Sequence, residues 1–140
     1  LGVSTPKADP AGDYAVKLFE KADQVSAGAR DRLRAKALQL TGGPTSPKAP
    51  DGRNLYAWVM SSGQADVFLT YCTNAVLARR EAADLQIVAT PPALAVGAEY
   101  GMVIVNGAPA GAAGLADFIT GSAGQAIMAR YGFGAGDAAK

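Results

Sequence analysis

The sequence predicts an α/β domain with a mainly parallel sheet flanked by helices, completed by C-terminal helices. Three observations predict it. Short apolar runs alternate with stretches of helical periodicity. One run, Val67-Phe68-Leu69-Thr70-Tyr71, is apolar almost throughout, as in a strand covered on both faces. The 140 residues, 49 % hydrophobic and 18 % charged, suffice for one domain with a real core and are too apolar for a disordered segment.

Leu1 to Ser4 reads as a strand closed by the turn signal Thr5-Pro6. Asp9 and Pro10 supply an N-cap and a proline at the first helical position, and Ala15, Leu18, Phe19 and Ala22 follow as an amphipathic stripe. A second helix is expected over about 27–40, with Leu33, Ala37 and Leu40 on one side, stopped by Thr41-Gly42-Gly43-Pro44. Residues 42–52, rich in Pro, Gly, Ser and Thr, read as a surface loop within one domain. Asp51 is expected to cap a helix over 52–62 that buries Leu55, Tyr56 and Val59 and ends at Gly63. After the 67–71 strand come a helix capped by Asn74 and running to about 83, a strand over 85–89, and the Pro91-Pro92 break. Residues 100–105 read as a further strand. A Gly- and Ala-rich linker from Asn106 leads to a helix ending near Gly121, and Ser122 with Gln125 reads as a capping box for a last helix. Ile127, Met128 and Tyr131 are its apolar residues and Gly132 its C-terminal cap, and the patternless tail 134–140 is expected to fray.

Composition removes several function classes. There is no histidine, hence neither the commonest general base nor the commonest metal ligand. Cys72 is the single cysteine, so no internal disulfide and no Cys-based zinc site forms; lying in an apolar run, it reads as a small buried residue and not as a nucleophile. The net charge of +1 offers no field for nucleic acid, and Arg30, Arg32, Arg34 and Lys36 read as a solvated helix face. No apolar stretch approaches the roughly 20 residues of a membrane helix. No signal peptide is visible; the chain opens without Met, directly in a strand, and is expected to continue upstream.

A parallel α/β sheet binds ligands beyond the carboxyl ends of its strands, where helices begin. Two helix starts, Asp9-Pro10-Ala11-Gly12 and Asp51-Gly52-Arg53-Asn54, place small or flexible residues where free backbone amides meet an anion. Plain capping by Asp9 and Asp51 competes with that reading and is the better one for either motif alone. Tyr71 ends the central strand and either reaches the same crevice or closes the sheet; Arg53 either adds charge-assisted hydrogen bonds or is a surface arginine. Gly132-Phe133-Gly134-Ala135-Gly136 is not a dinucleotide loop, because no strand precedes it and no helix follows. Asp9 and Asp13 pair at a helix start, where negative charge is structurally favoured, and no acid and base constellation is visible.

The chain resembles the molybdate-binding proteins of bacterial ABC importers, of the type II periplasmic binding-protein fold. The resemblance rests on Pro10-Ala11-Gly12 with Tyr14-Ala15, Ala65-Asp66-Val67 leading to Tyr71, the strand over 85–89, and Gly124-Gln125-Ala126 with Arg130-Tyr131-Gly132-Phe133. It implies a two-lobed periplasmic protein in which residues 1–105 are the second lobe, with interlobe crossings near 1–4 and 100–105. Residues 106–140 would return to a first lobe that has no counterpart in this chain. It further implies that Ala11 and Gly12, then Arg53 and Asn54, and the Tyr71 hydroxyl bind a tetrahedral oxyanion, which a membrane permease receives, with no catalysis, metal or cofactor. Asp9 beside the proposed anion, Arg53 at an amide position and the insertion near 41–50 depart from the pattern and leave sulfate, tungstate or an organic anion open. Two rival readings are a ligand-sensing effector domain of a regulatory protein with this fold, and a small α/β enzyme using Asp13 or Tyr71.

Overall fold

A computed structural model describes residues 1–134. The first strand, β1 (Gly2–Ser4), is buried along its whole length. Helix α1 (Pro10–Val25) follows, started as expected: Asp9 is the N-cap, its side chain accepts from the Ala11 amide, and Pro10 opens the first turn, where its missing N–H costs nothing. Ala11, Ala15, Phe19 and Ala22 line the buried side of α1. Phe19 and Ala15 pack with Val3 of β1 as the core, which Leu1, Leu18, Leu33, Ala37 and Leu69 extend. Burial of Phe19 to 2 % exposure contributes on the order of 1.5–3 kcal/mol.

The helix expected over 27–40 ends early. Helix α2 (Ala29–Lys36) stops before Ala37, and β2 (Leu38–Thr41) runs parallel to β1 with Gly2 opposite Leu38, Val3 opposite Gln39 and Ser4 opposite Thr41. Backbone pairing, begun by the Leu38 N–H to the Leu1 carbonyl at 2.9 Å, outweighs the helical propensity of Leu and Gln. Leu33 and Ala37 still face the core, and Arg30, Arg32, Arg34 and Lys36 are exposed as expected. At the end of the pair, the Ser4 and Thr41 hydroxyls meet at 2.7 Å with both residues buried.

Residues 42–54 form no regular element, in line with the loop expectation. The next helix, α3 (Leu55–Ser61), is capped by Asn54 and not by Asp51: Asn54 Oδ1 accepts from the amides of Tyr56 at 3.1 Å and Ala57 at 3.0 Å. Asp51 is exposed in the preceding turn. Both residue types cap well, and burial of Ala57 and Val59 selects the frame. Gly63 follows at φ +72, a conformation that spares glycine the Cβ clash.

The strand expected over 67–71 reduces to one parallel bridge. Gly2 donates to the Val67 carbonyl at 2.7 Å, Leu69 donates back to Gly2 at 3.0 Å, and Phe68 lies opposite Gly2. The order across the sheet is therefore β2, β1, then 67–69. Helix α4 (Cys72–Glu81) has its N-cap at Tyr71, three residues before the expected cap; Asn74 lies inside its first turn and donates from Nδ2 to Thr70 Oγ1 at 3.0 Å. Cys72 is exposed, contrary to expectation, because it occupies that first turn and not a strand. Lys21 of α1 donates its ammonium to the Ala95 carbonyl.

Residues 85–89 and 100–105 are not strands. Apolar character suits a strand, but a strand also needs a neighbouring backbone to pair with, and none among the described residues pairs with theirs. The chain divides into a compact unit over Leu1–Gly97 and a second from Ala98 onward, so that 100–105 falls in the second. The second unit holds α5 (Gly111–Thr120) and α6 (Ser122–Arg130), turned about Gly121. No capping box forms there: Ser122 is the first residue of α6, and Gln125 Nε2 donates to the Ile119 carbonyl at 2.9 Å instead. Gly132 ends α6 at φ +86, as expected, and Tyr100 meets Phe133 edge-on at 5.7 Å. Of the expected tail, 135–140 lies outside the described residues. No helix among the described residues is long and apolar enough to cross a membrane.

Candidate functional site

The connection leaving β1 reaches β2 on one side, and the connection leaving β2 crosses to 67–69 on the other side of β1. Where strand order reverses in this way, a crevice opens beyond the carboxyl ends. By that rule the place to look for a site is between the start of α1, which follows β1, and Tyr71, which follows 67–69. Of the expected residues, Ala11 and Gly12 lie in the first turn of α1 and Tyr71 is the N-cap of α4. The Tyr71 ring stands edge-on to Tyr14 of α1, with centroids 5.9 Å apart and planes at 68°. The Lys17 ammonium lies 5.4 Å from the Tyr14 ring centroid.

Close packing holds this corner. A Cβ on Gly12 would stand 2.6 Å from the Ser4 carbonyl oxygen and 2.6 Å from Pro6 N, so glycine is what allows α1 to begin against the end of β1. The turn after β2 closes over the same corner: Thr5 Oγ1 donates to the Thr41 carbonyl at 3.0 Å, and the Gly43 amide donates to Ser46 Oγ at 2.9 Å. A Cβ on Gly42 would meet Asp9 Oδ2 at 2.5 Å. The expected insertion near 41–50 is thus seated on the residue that caps α1.

Arg53 and Asn54 do not join this group. They meet Glu81, the last residue of α4, whose Cα is displaced from Tyr71 by about 15 Å along the helix. Arg53 Nε lies 2.5 Å from Glu81 Oε1, and the Asn54 amide donates to Glu81 Oε2 at 2.6 Å. The Arg53 guanidinium, and after it the Asn54 N–H, hold the Glu81 carboxyl below its ordinary value. This two-pronged carboxylate contact had no local signal in the sequence: Glu81 is one acidic residue behind Arg79 and Arg80, with no motif shared with Arg53.

The amides expected to be free are engaged within the chain. Ala11 N donates to Asp9 Oδ1 at 2.9 Å and Gly12 N to the Asp9 carbonyl at 2.9 Å. Arg53 N donates to the Pro50 carbonyl at 3.1 Å. Capping by Asp9 is therefore realised. No cluster of three or more metal-ligating side chains occurs among the described residues.

An uncharacterized protein of Pasteurella multocida (strain Pm70) is 39 % identical to this chain over 100 residues, 71 % of this chain and 41 % of that protein. The chain thus spans about two fifths of that relative's length. No solved structure matches it. The family of bacterial extracellular solute-binding proteins matches residues 1–134, nearly the whole length on which the β1–α1 corner and the C-terminal helices lie, and the chain belongs to that family.

Proposed function

We propose that the protein is the substrate-binding component of an ABC importer and takes molybdate or a similar tetrahedral oxyanion in the periplasm, passing it to a membrane permease. The observation that supports this reading is the edge contact of Tyr71, at the start of α4, with Tyr14 of α1, each helix following one strand of the parallel set. Ala11 and Gly12 stand at the positive end of a 16-residue helix, their N–H groups donating to Asp9 in the absence of a guest, and Tyr71 carries a hydroxyl. Neutral donors of this kind bind an oxyanion without breaking a bond, so no catalytic group is required. Asp9 must leave the Ala11 amide for the guest to enter. Arg53 and Asn54, now holding Glu81, are a second donor pair for the same class of ligand.

Residues 1–105 would form the second of two lobes and 106–140 would return to a first lobe encoded outside this chain. In support, the second unit exposes Val103 to 84 % and Val105 to 68 %, and Met102 to Val105 line an open apolar groove of about 220 Å³ with Ala108, Ala112, Leu115 and Ala116. Calorimetry and thermal shift of the full-length protein with molybdate, tungstate and sulfate test the assignment. Heat and stabilisation with at least one of them are expected; neither with any of the three ends the oxyanion reading.

A further inference from the structure

We propose a second ligand site, for a small aliphatic carboxylate, in the cleft between α1, the end of α2 and β2. The cleft holds about 120 Å³. Its floor is apolar: Val3, Ala15 and Phe19 are at most 5 % exposed, and Val16 lies beside them. Its mouth is polar, formed by Arg34 and Gln39, both exposed. Gln39 stands opposite Val3 in the parallel register, so both side chains leave the sheet on the same face. A carboxamide therefore occupies the core-facing position of β2, with Leu38 and Leu40 alternating to the other face. The Arg34 guanidinium is also uncommitted. On the same helix, Arg30 pairs with Asp31 at 3.0 Å, and Arg32 donates to the Ala27 carbonyl at 3.3 Å. Among the described residues no hydrogen bond or ion pair engages the Arg34 guanidinium or the Gln39 carboxamide. Asp31, the acid that feels the Arg34 charge, is already the partner of Arg30. A planar fork of N–H donors above an apolar floor suits a carboxylate with a hydrocarbon tail. An apolar cavity of about 150 Å³ admits benzene, so this cleft has room for a tail of about three or four carbons. The carboxylate then meets Arg34 and accepts from the Gln39 side-chain N–H, while the tail lies on Val3 and Phe19. Of the groups assigned to the oxyanion, only Gly12 borders this cleft; Ala11 and Tyr71 do not.

Ligand-observed NMR titration of the full-length protein with butyrate tests the site. Saturable binding is expected, about tenfold tighter than that of acetate, which lacks two methylenes. The n-butylammonium ion, with the same tail and the opposite charge, should not bind. Arg34→Gln should weaken butyrate about tenfold or more and Gln39→Leu about two- to tenfold, the ranges of a charge-assisted and a neutral hydrogen bond. Both residues are exposed, so the thermal midpoints of the variants should stay near that of the parent. No saturation with butyrate, equal affinity for acetate or n-butylammonium, or unchanged butyrate affinity in Arg34→Gln overturns the site. The ligand comparisons use the parent protein and decide the matter even where a variant fails to fold. Displacement of butyrate by molybdate would put both in one place and overturn the second site. Butyrate binding that is lost in Arg34→Gln, with the response to molybdate the same as in the parent, supports it.

Discussion

Asp9 Oδ1 accepts from the Ala11 amide at 2.9 Å, placing a carboxylate on the donor that the proposed oxyanion would use. The contact stabilises the start of α1 and opposes an anionic guest. Asp9→Ala removes both effects and should cost about 0.5–2 kcal/mol in denaturant unfolding. Asp9→Ser keeps an N-cap oxygen without the charge, so it should retain most of that stability and bind oxyanions more tightly. A calorimetric titration showing unchanged or weaker binding in Asp9→Ser would place the solute elsewhere.

The buried Ser4 and Thr41 hydroxyls, 2.7 Å apart, join β1 to β2 at the end of the pair that faces the crevice. Thr41→Val keeps the shape of the side chain and deletes its oxygen. The Ser4 hydroxyl then loses its side-chain partner in a dry site, at a cost of about 1–3 kcal/mol. Adding Ser4→Ala should recover part of that loss, since removing both polar partners costs less than stranding one. Urea unfolding of the two single variants and the double variant gives the comparison, and a double variant that is merely the sum of the singles would show that the hydroxyls do not act as a pair.

The Glu81 contact predicts a pH dependence with a definite sign. Arg53, followed by the Asn54 N–H, lowers the carboxyl's folded pKa below its unfolded value. A depressed carboxylate stabilises the fold at pH above the unfolded value, and that contribution is lost as pH falls through the folded one. Stability measured from neutral pH downward should therefore decline less steeply in Glu81→Gln than in the parent, the difference between them narrowing towards acid. The total effect should be small and should weaken with added salt, because the Arg53 side chain is 46 % exposed. A parent and a variant with parallel pH profiles would mean that the ion pair does not persist in solution.

What the sequence reveals of this fold depends on how local the deciding interaction is. Helix α1 is readable because its cap, its proline and its stripe lie within one segment. Gly63 and Gly132 are readable as stops for the same reason, both at positive φ. Leu38 to Thr41 misleads because Leu40 continues the period of Leu33 and Ala37, and only pairing with β1, far away in sequence, turns the segment into a strand. Asp51 and Asn54 are both good caps three residues apart, and the buried positions of Ala57 and Val59 decide between them. Residues 85–89 and 100–105 have the apolar character of strands but no backbone neighbour among the described residues. At the candidate site, Ala11, Gly12 and Tyr71 follow from the rule about carboxyl ends of parallel strands. The partners Tyr14 and Glu81 do not, because each is defined by a contact across elements.

Two glycines should respond in opposite ways to the same substitution. Helix propensity favours alanine over glycine by about 1 kcal/mol at an interior position, so propensity alone would make either change stabilising. At Gly114 in α5 a Cβ meets nothing within 4 Å, and Gly114→Ala should stabilise that helix by about 0.5–1 kcal/mol, visible as slower amide exchange across α5. At Gly12 the Cβ would stand 2.6 Å from Ser4 O, Pro6 N and Thr5 C, all backbone atoms that cannot rotate aside. Gly12→Ala must push the start of α1 away from the end of β1, at a cost of about 1–3 kcal/mol, and the steric term should exceed the propensity gain. The displacement would also move the Ala11 amide relative to Tyr71, so solute affinity should fall together with stability. A Gly12→Ala protein as stable as the parent would show that the α1–β1 corner yields more readily than its packing implies, and would weaken the case that this corner is preorganised for a guest.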